Sequence, residues 1–263
     1  MSVTDTKDWN PETYTRFRGL RLRPALDLLA QVPDLPQGDI VDLGCGNGPV
    51  APDLAARFPD RRLIGVDSSP AMLAKAVETG CYHRLDEGDA ALWAPHGPTA
   101  LIFSNALCQW LPDHKGLFAR LVQSLVPRGV LAVQMPRQYD EHSHRLLRDV
   151  AADLFPDRFD LTGWRAPVAP PQDYARMLMP LGAVSAWQSQ YIQVLPRADQ
   201  GHPVRQFTQS TAMRPFAEKL DNDELAAFVA AYDTALDTVY PAEPDGSVLF
   251  PFQRVFFTLT RPC

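Results

Sequence analysis

Along the first half of the chain, short apolar runs closed by glycine, proline or a carboxylate alternate with stretches whose apolar residues recur at helical spacing. Ile40, Val41 and Leu43 form the first run, which ends in Gly44, Gly46 and Gly48, and Pro49 to Phe58 then reads as a helix. Arg62 to Val66 is the next strand and leads into Asp67. Ser68-Ser69-Pro70 starts a helix, with a capping hydroxyl ahead of a proline in the first turn, and Met72 and Leu73 face inward. Tyr82 to Leu85 is a weak third strand that ends in Glu87-Gly88-Asp89-Ala90. Ala100 to Ala106 is apolar throughout, as a strand buried on both faces must be. Leu107 to Asp113 follows it as a loop on the same carboxyl edge as the glycine turn, where ligands of open parallel sheets bind. His114 to Leu125 is helical, Pro127-Arg128-Gly129 a turn, and Val130 to Met135 a strand closed by Pro136.

The flanks extend this alternation and then leave it. Trp9-Asn10-Pro11 is a turn, and Glu12 to Ala30 reads as an amphipathic helix kinked near Pro24, with Arg16, Arg18, Arg21 and Arg23 interleaved among its apolar positions. Most of those arginines fit a solvated basic face, while a helix ahead of the first strand is placed to act as a lid. Glu141 to Phe155 is a helix on which Arg145 and Arg148, three residues apart, share a face. Residues 157–172 read as a Pro- and Gly-rich loop, Asp173 to Leu181 as a short helix, and Ala183 to Leu195 as an edge strand. Residues 196–223 break the strand and helix alternation. Glu224 to Tyr240 is an amphipathic helix through Leu225, Phe228, Val229, Tyr232, Leu236 and Val239, and Val248 to Thr260 alternates well enough to be a final antiparallel strand. The expected fold is therefore α/β, a doubly wound, mostly parallel seven-stranded sheet with an antiparallel last strand. Its expected divisions are an N-terminal lid helix (1–36), an α/β core (37–195), a helical cap insert (196–247) and the last core strand (248–263).

Composition narrows the class without naming a chemistry. The chain has 263 residues, enough for one large core or one core with an appended layer. No apolar run approaches the roughly 20 residues that span a bilayer, and Met1 to Asn10 is polar, so a soluble cytoplasmic protein with no membrane partner is expected. Cys45, Cys81, Cys108 and Cys263 are far apart and fit reduced thiols rather than a disulfide framework or zinc site. Only His142 and His144 lie close together among the histidines, which is poor support for a metal site, and none is expected. A net charge of −6 argues against nucleic acid. Arg nevertheless outnumbers Lys by 21 to 4, a bias that genomic base composition explains, although guanidinium forks also bind carboxylates bidentately.

The candidate chemistry centres on Asp42 to Gly48 and Asp67. Glycines at alternate positions let a backbone turn sharply and let a ligand approach closer than any Cβ permits. Asp67, at the end of the second strand, stands where a ribose diol binds. A dinucleotide fingerprint would need a third glycine at position 49, which is Pro49. The motif that stands there, Asp42-x-Gly44-x-Gly46-x-Gly48, resembles that of S-adenosylmethionine (AdoMet) methyltransferases. Met72, one turn beyond Asp67, could pack on an adenine ring. Asp89 could accept the adenine amino group while the Ala90 N–H meets a ring nitrogen; a plain surface turn is the competing reading of that stretch.

The chain resembles the trans-aconitate methyltransferases, a family of AdoMet-dependent carboxyl O-methyltransferases with a class I, Rossmann-like fold, over nearly its whole length. The segments that carry the resemblance include Asp8-Trp9-Asn10-Pro11, Arg23-Pro24-Ala25, Asp42-Leu43-Gly44-Cys45-Gly46, Gly65 to Met72, Gln109-Trp110-Leu111-Pro112-Asp113-His114, Gly129 to Pro136, Met213-Arg214-Pro215-Phe216 and Arg254-Val255-Phe256. The resemblance implies that the cofactor is AdoMet, leaving as S-adenosylhomocysteine. Its methionine part would lie on Gly44, Cys45, Gly46 and Gly48, its ribose on Asp67, and its adenine against Asp89 and Ala90. Asn105 and Ala106 would flank the sulfonium, with Arg23, Asp42, Ser68 and Met72 completing the cofactor set. The substrate set it implies is Trp9, Tyr14, Gln109, Trp110, Tyr139, His144, Arg148, Arg214 and Arg254, around a small anionic molecule. Three stretches depart from the family: Asn47-Gly48-Pro49, Arg137-Gln138-Tyr139 and residues 156–172.

Methyl transfer to oxygen is an in-line displacement that holds donor and acceptor nearly collinear at about 3 Å. A carboxylate acceptor is already ionised at neutral pH and needs no general base. Accordingly the sequence carries no recognisable Ser/His/Asp or Cys/His arrangement, and no catalytic side chain is expected beyond Gln109 and Trp110 bordering the methyl group. Arginines would fix the non-reacting carboxylates, each charge-assisted bond contributing roughly 1.5–3 kcal/mol. Transfer to another small carboxylate or to a natural-product hydroxyl, a nucleotide-binding module without catalysis, and a dinucleotide oxidoreductase are the competing readings. A monomer or weak dimer is expected.

Overall fold

The computed structural model describes residues 18–209 and 211–263. Its parallel half begins with α1 (Arg18–Ala30), which keeps Pro24 inside the helix, and β1 (Asp39–Leu43). Then come α2 (Ala51–Arg57), β2 (Leu63–Asp67), α3 (Pro70–Val77), β3 (Arg84–Glu87) and β4 (Thr99–Asn105). α4 (His114–Ser124) leads directly into β5 (Leu125–Pro136), and α5 (His142–Leu154), α6 (Pro171–Leu178) and β6 (Ala183–Leu195) follow. The chain closes with α7 (Pro203–Gln209), α8 (Arg214–Ala217), α9 (Asn222–Val239) and β7 (Val248–Thr260).

The seven strands lie in the order β3-β2-β1-β4-β5-β7-β6. The pairs β1 with β2, β1 with β4, β2 with β3 and β4 with β5 are parallel. β7 runs antiparallel to β5: near one end the Arg128 N–H donates to Arg261 O and the Arg261 N–H to Gly129 O, and the Arg137 N–H donates to Gln253 O near the other. The strand order reverses between β1 and β4, and at such a switch point the following loops diverge and leave a crevice beyond the carboxyl ends.

Two compact units divide the chain. Among the described residues, the first comprises 18–135, 169–188 and 255–263, and the second 136–168, 189–209 and 211–254. In the first unit β1 is buried at every position and β4 at all but its last, so both lack the polar alternation of a half-exposed strand. Phe118, Tyr174 and Phe257 pack edge to face or tilted with centroids 5.0–6.0 Å apart, and Trp187 stacks flat on Phe256 at 5.0 Å. In the second unit α9 buries Phe228, Tyr232 and Leu236. The Tyr232 hydroxyl donates to Ser143 O at 2.7 Å, which ties α9 to α5. Phe207, Phe250, Phe252 and Tyr240 form a second aromatic cluster.

Several element boundaries differ from the sequence reading. β3 is Arg84–Glu87 rather than 82–85, because Tyr82 turns away to the end of β1. Pro127-Arg128-Gly129 does not separate a helix from a strand. It is an excursion within β5, with Arg128 at φ +65°, and the register against β4 jumps there from Thr99↔Leu125 to Leu101↔Val130. Leu73 is only half-buried, while Met72 is buried. α6 starts at Pro171 and gives way to a 3-10 turn at Met179–Leu181. The edge strand and the final strand stand at the predicted bounds, Ala183–Leu195 and Val248–Thr260.

Candidate active site

The glycine turn is built by backbone geometry that other residues would strain. Gly44, at φ +78°, and Cys45 both donate their N–H to Val66 O, at 2.8 and 3.0 Å. A Cβ on Gly44 would lie 2.7 Å from the Leu107 side chain, so only glycine lets the turn pass beneath the loop that follows β4. The Gly46 N–H donates to Asp67 Oδ2 at 2.9 Å and the Ser69 N–H to Oδ1 at 3.0 Å. Asp67 thus ties the turn after β1 to the helix after β2. Ser69 caps α3 through the Met72 N–H at 3.2 Å, as its sequence signature requires.

Behind the turn lies a buried acid. Asp42 is 2% exposed and accepts a 2.7 Å hydrogen bond from the Tyr82 hydroxyl. Burial raises its pKa to about 7; the Tyr82 hydrogen bond opposes the shift and the charge of Asp67 adds to it. The buried Cys45 thiol is pushed upward by burial and then by the charges of Asp42 and Asp67, so it is not a nucleophile.

Two adjoining clefts open at this edge. One is lined by Asp42, Gly44, Cys45, Gly46, Asn47, Pro49, Val50, Asp67, Ser68, Met72, Asn105, Ala106, Leu107 and Trp110. The other, of about 310 Å³, is lined by Gly44, Val66, Asp67, Ser68, Gly88, Asp89, Ala90, Leu107, Trp110 and Leu111. The fold therefore gathers most of the expected cofactor residues at one edge of the first unit. Gly48 and Arg23 are exceptions and line neither cleft. Gly48 is buried at φ +73°, where an added Cβ would meet Thr79 at 2.9 Å and Tyr82 at 3.1 Å, so packing requires that glycine. Arg23 is exposed on α1.

The loop after β4 is shaped by its own bonds. Ala106 stands at φ +57° and donates its N–H to Gln134 O at 2.9 Å. Gln109, expected beside the methyl group, is buried and turns its Nε2 back to Ala106 O at 2.7 Å. Trp110 is 54% exposed and borders both clefts. His114 spans Cys108 O at 2.8 Å and the Tyr174 hydroxyl at 2.7 Å, and burial lowers its pKa. The turn at Asp89 closes through Asp89 Oδ1, which accepts from the Ala91 N–H at 2.8 Å. Arg120 of α4 clamps this turn by donating to Ala90 O at 2.9 Å, to Ala91 O at 2.8 Å and to Trp93 O. Neither Arg120 nor Tyr82 carries a sequence signal, since each acts on residues about 30 or 40 positions away.

The expected acid-binding residues that are described lie in the second unit, apart from Gln109 and Trp110, and occupy three different environments. Arg148 is half-buried; its guanidinium lies 3.7 Å from the centroid of the Trp164 ring and donates to Tyr139 O at 2.8 Å. His144 sits edge-on to the Tyr139 ring at 5.6 Å and shares a 3.1 Å hydrogen bond with Ser143 Oγ. Burial, and then the Arg148 charge, push its pKa down to about 3, so it is a neutral group. Burial pushes the Tyr139 hydroxyl up to about 12. Arg254 is 5% exposed and stacked over Phe252 at 4.4 Å, while Arg214 is exposed and pairs with Glu218 at 3.3 Å. Arg145, on the face expected to be shared with Arg148, is exposed and turned to His142 and Asp149. Trp9 and Tyr14, with the start of the expected lid helix, lie outside the described residues.

A parallel sheet with a switch point, a glycine turn and an acid at the second strand end define a nucleotide-type binding domain of the class I methyltransferase fold. The sequence profile of the methyltransferase domain family matches residues 14–178. Among curated proteins, the trans-aconitate 2-methyltransferase of Azoarcus sp. is 41% identical over 96% of this chain and 99% of its own. That of Deinococcus radiodurans is 41% identical over 97% of this chain and 98% of its own. The chain belongs to the methyltransferase domain family and, within it, to the family of the trans-aconitate 2-methyltransferases. Solved structures share the fold at low identity. The YcgJ protein of Bacillus subtilis superposes with a TM-score of 0.57 at 13% identity over 92% of this chain and 99% of its own. Phosphoethanolamine N-methyltransferase 2 of Haemonchus contortus, in complex with S-adenosyl-L-methionine, gives 0.53 at 17% identity over 92% of this chain and 53% of its own.

Proposed function

We propose that this chain is an AdoMet-dependent carboxyl O-methyltransferase that esterifies one carboxylate of a small polycarboxylic acid, trans-aconitate foremost, to its monomethyl ester. The near full-length identity to trans-aconitate 2-methyltransferases carries the reading. The first unit fits the cofactor on its own geometry. Among the described residues nothing stands within 4 Å of where a Cβ on Gly46 would lie. The Asn105 Oδ1, in a residue that lines the cleft, is buried without a hydrogen-bond partner among the described residues. Such an orphaned acceptor suits a cationic or N–H-bearing ligand.

In this reading the Gly44 to Gly46 backbone and Asp42 hold the methionine part, Asp67 the ribose hydroxyls, and Asp89 with Ala90 the adenine, while Asn105 and Ala106 stand beside the sulfonium. AdoMet supplies an electrophilic methyl group when bound. The protein's share of the work is then positioning and charge. Arg148 and Arg254 neutralise carboxylates of the acid, and Trp110 screens the cofactor cleft from water. The acid is ionised at neutral pH, so no residue has to remove a proton from it. Neutral His144 suits this task because it adds a hydrogen-bonding group without a competing charge.

The same reading places the protein in the cytoplasm, acting on a small anion with neither nucleic acid nor membrane as partner, as a monomer or weak dimer. No helix among the described residues is long and apolar enough to cross a membrane. Incubation with methyl-labelled AdoMet and a panel of acids tests the reaction. The expected product from trans-aconitate is labelled and alkali-labile, as an ester is; an alkali-stable product, or label in none of the acids, overturns it. S-adenosylhomocysteine should raise the melting temperature and NAD should not.

A further inference from the structure

Of the arginines that the family resemblance implies for the acid, Arg148 is the half-buried one; it makes no ion pair among the described residues and carries a hydrogen bond on only one of its nitrogens. Its planar guanidinium lies over the indole of Trp164, in the loop that follows α5, with the Cζ atom 3.7 Å from the ring centroid. Stacking of this kind engages the face of the guanidinium and leaves its edge N–H groups in plane. One nitrogen is used by Tyr139 O at 2.8 Å, which fixes rotation about the stacking axis. The remaining edge is thus presented in one orientation, the arrangement that bidentate carboxylate recognition needs. Burial lowers the pKa of Arg148, a sign that its charge is short of solvation. The loop itself is built to hold the indole: Gly163 turns at φ +73°, and the Trp164 N–H donates to Leu161 O at 3.1 Å.

We infer that Trp164 is a positioning residue for the acid substrate, holding the Arg148 guanidinium in the plane in which it receives a carboxylate. The inference rests on the reading of Arg148 as a carboxylate receptor. Trp164 acts on binding of the acid and not on the cofactor, whose cleft is lined by other residues. It stands in the stretch 156–172, one of the three where the chain departs from the family pattern, outside the motifs that carry the resemblance.

Steady-state kinetics with AdoMet and trans-aconitate test it on four proteins: the unaltered chain, Trp164→Ala, Trp164→Phe and Arg148→Ala. For Trp164→Ala the KM for the acid should rise roughly tenfold, the scale of a partly desolvated cation–π contact. Its kcat and its KM for AdoMet should stay within about twofold, since interactions lost equally from ground and transition states change KM alone. Trp164→Phe keeps an aromatic face and should recover most of the loss. An unchanged acid KM in Trp164→Ala, alongside a raised one in Arg148→Ala, overturns the role of Trp164 and leaves the carboxylate receptor standing. Equal losses toward acid and AdoMet, or no recovery by Trp164→Phe, also overturn it, because a purely structural residue behaves so. An unchanged acid KM in Arg148→Ala overturns the receptor itself and the inference with it.

Discussion

At the scale of single residues, Asp42 is a carboxyl group at the cofactor cleft whose ionisation the fold opposes. Its pKa rises from 3.8 to about 7 in the folded chain, so between those values the folded state holds a proton that the unfolded state has released. By linkage this contribution to stability is fully present below pH 3.8 and is lost as pH rises toward 7. Asp42→Asn keeps an acceptor for the Tyr82 hydroxyl and removes the titration. Its melting temperature should therefore fall less than that of the unaltered protein between pH 5 and pH 8, and a fall of equal size in the two would contradict the buried acid. Which residue caps Asp42 was not legible in the sequence, because Tyr82 lies 40 positions away and only the parallel pairing of β1 with β2 brings the segment before β3 alongside. Asp67 was legible, since its place at the end of an apolar run is a local pattern. Gly48 was legible as a glycine but not as a packing glycine: its motif is shared with ligand-binding turns, and only its neighbours Thr79 and Tyr82 tell the two apart.

At the scale of elements, α4 does more than cover the sheet. Arg120, on the middle of that helix, satisfies three carbonyl oxygens of the turn that carries Asp89 and Ala90. Hydrogen bonds from a charged donor contribute about 1.5–3 kcal/mol each at most, and losing several at once loosens the segment they hold. Arg120→Ala should therefore weaken S-adenosylhomocysteine binding by about tenfold, the size of one such bond. Titration calorimetry would read it, and an unchanged affinity would show that the turn holds its shape without the clamp. β1, β2 and β4 were predicted to within a residue and β6 and β7 to the residue, while β5 begins five residues ahead of its expected start. The errors fell where local chemistry was overruled. β3 has an exposed and half-exposed pattern, so nothing in its polarity set its bounds. The Pro127 to Gly129 stretch has turn chemistry and does bend the chain, yet the sheet takes up its strand again on the far side of the excursion.

At the scale of the whole molecule, the cofactor cleft lies within one compact unit and Arg148, Trp164, His144 and Arg254 within the other. Stabilisation by S-adenosylhomocysteine should accordingly survive changes in the second unit. A ligand at about 100 times its Kd adds roughly 2.7 kcal/mol to stability, and the resulting rise in melting temperature should be the same in Arg148→Ala as in the unaltered chain. A rise that disappears would show that the two sets of residues are coupled in cofactor binding. The order of the seven strands, the glycine turn, the acid at the end of β2 and the family were all legible from the chain alone, because each is written in local spacing and in segments of adjacent residues, whereas α7 and α8 in the stretch 196–223 were not. Tertiary structure alone decided that Tyr82 meets Asp42, that Arg120 holds the Asp89 turn, that Gln109 folds back on Ala106, and that Trp164 backs Arg148. Those contacts join residues whose polarity and spacing are the same whether or not they meet, and only the folded chain, by fixing which of them share a surface, makes one partner of another.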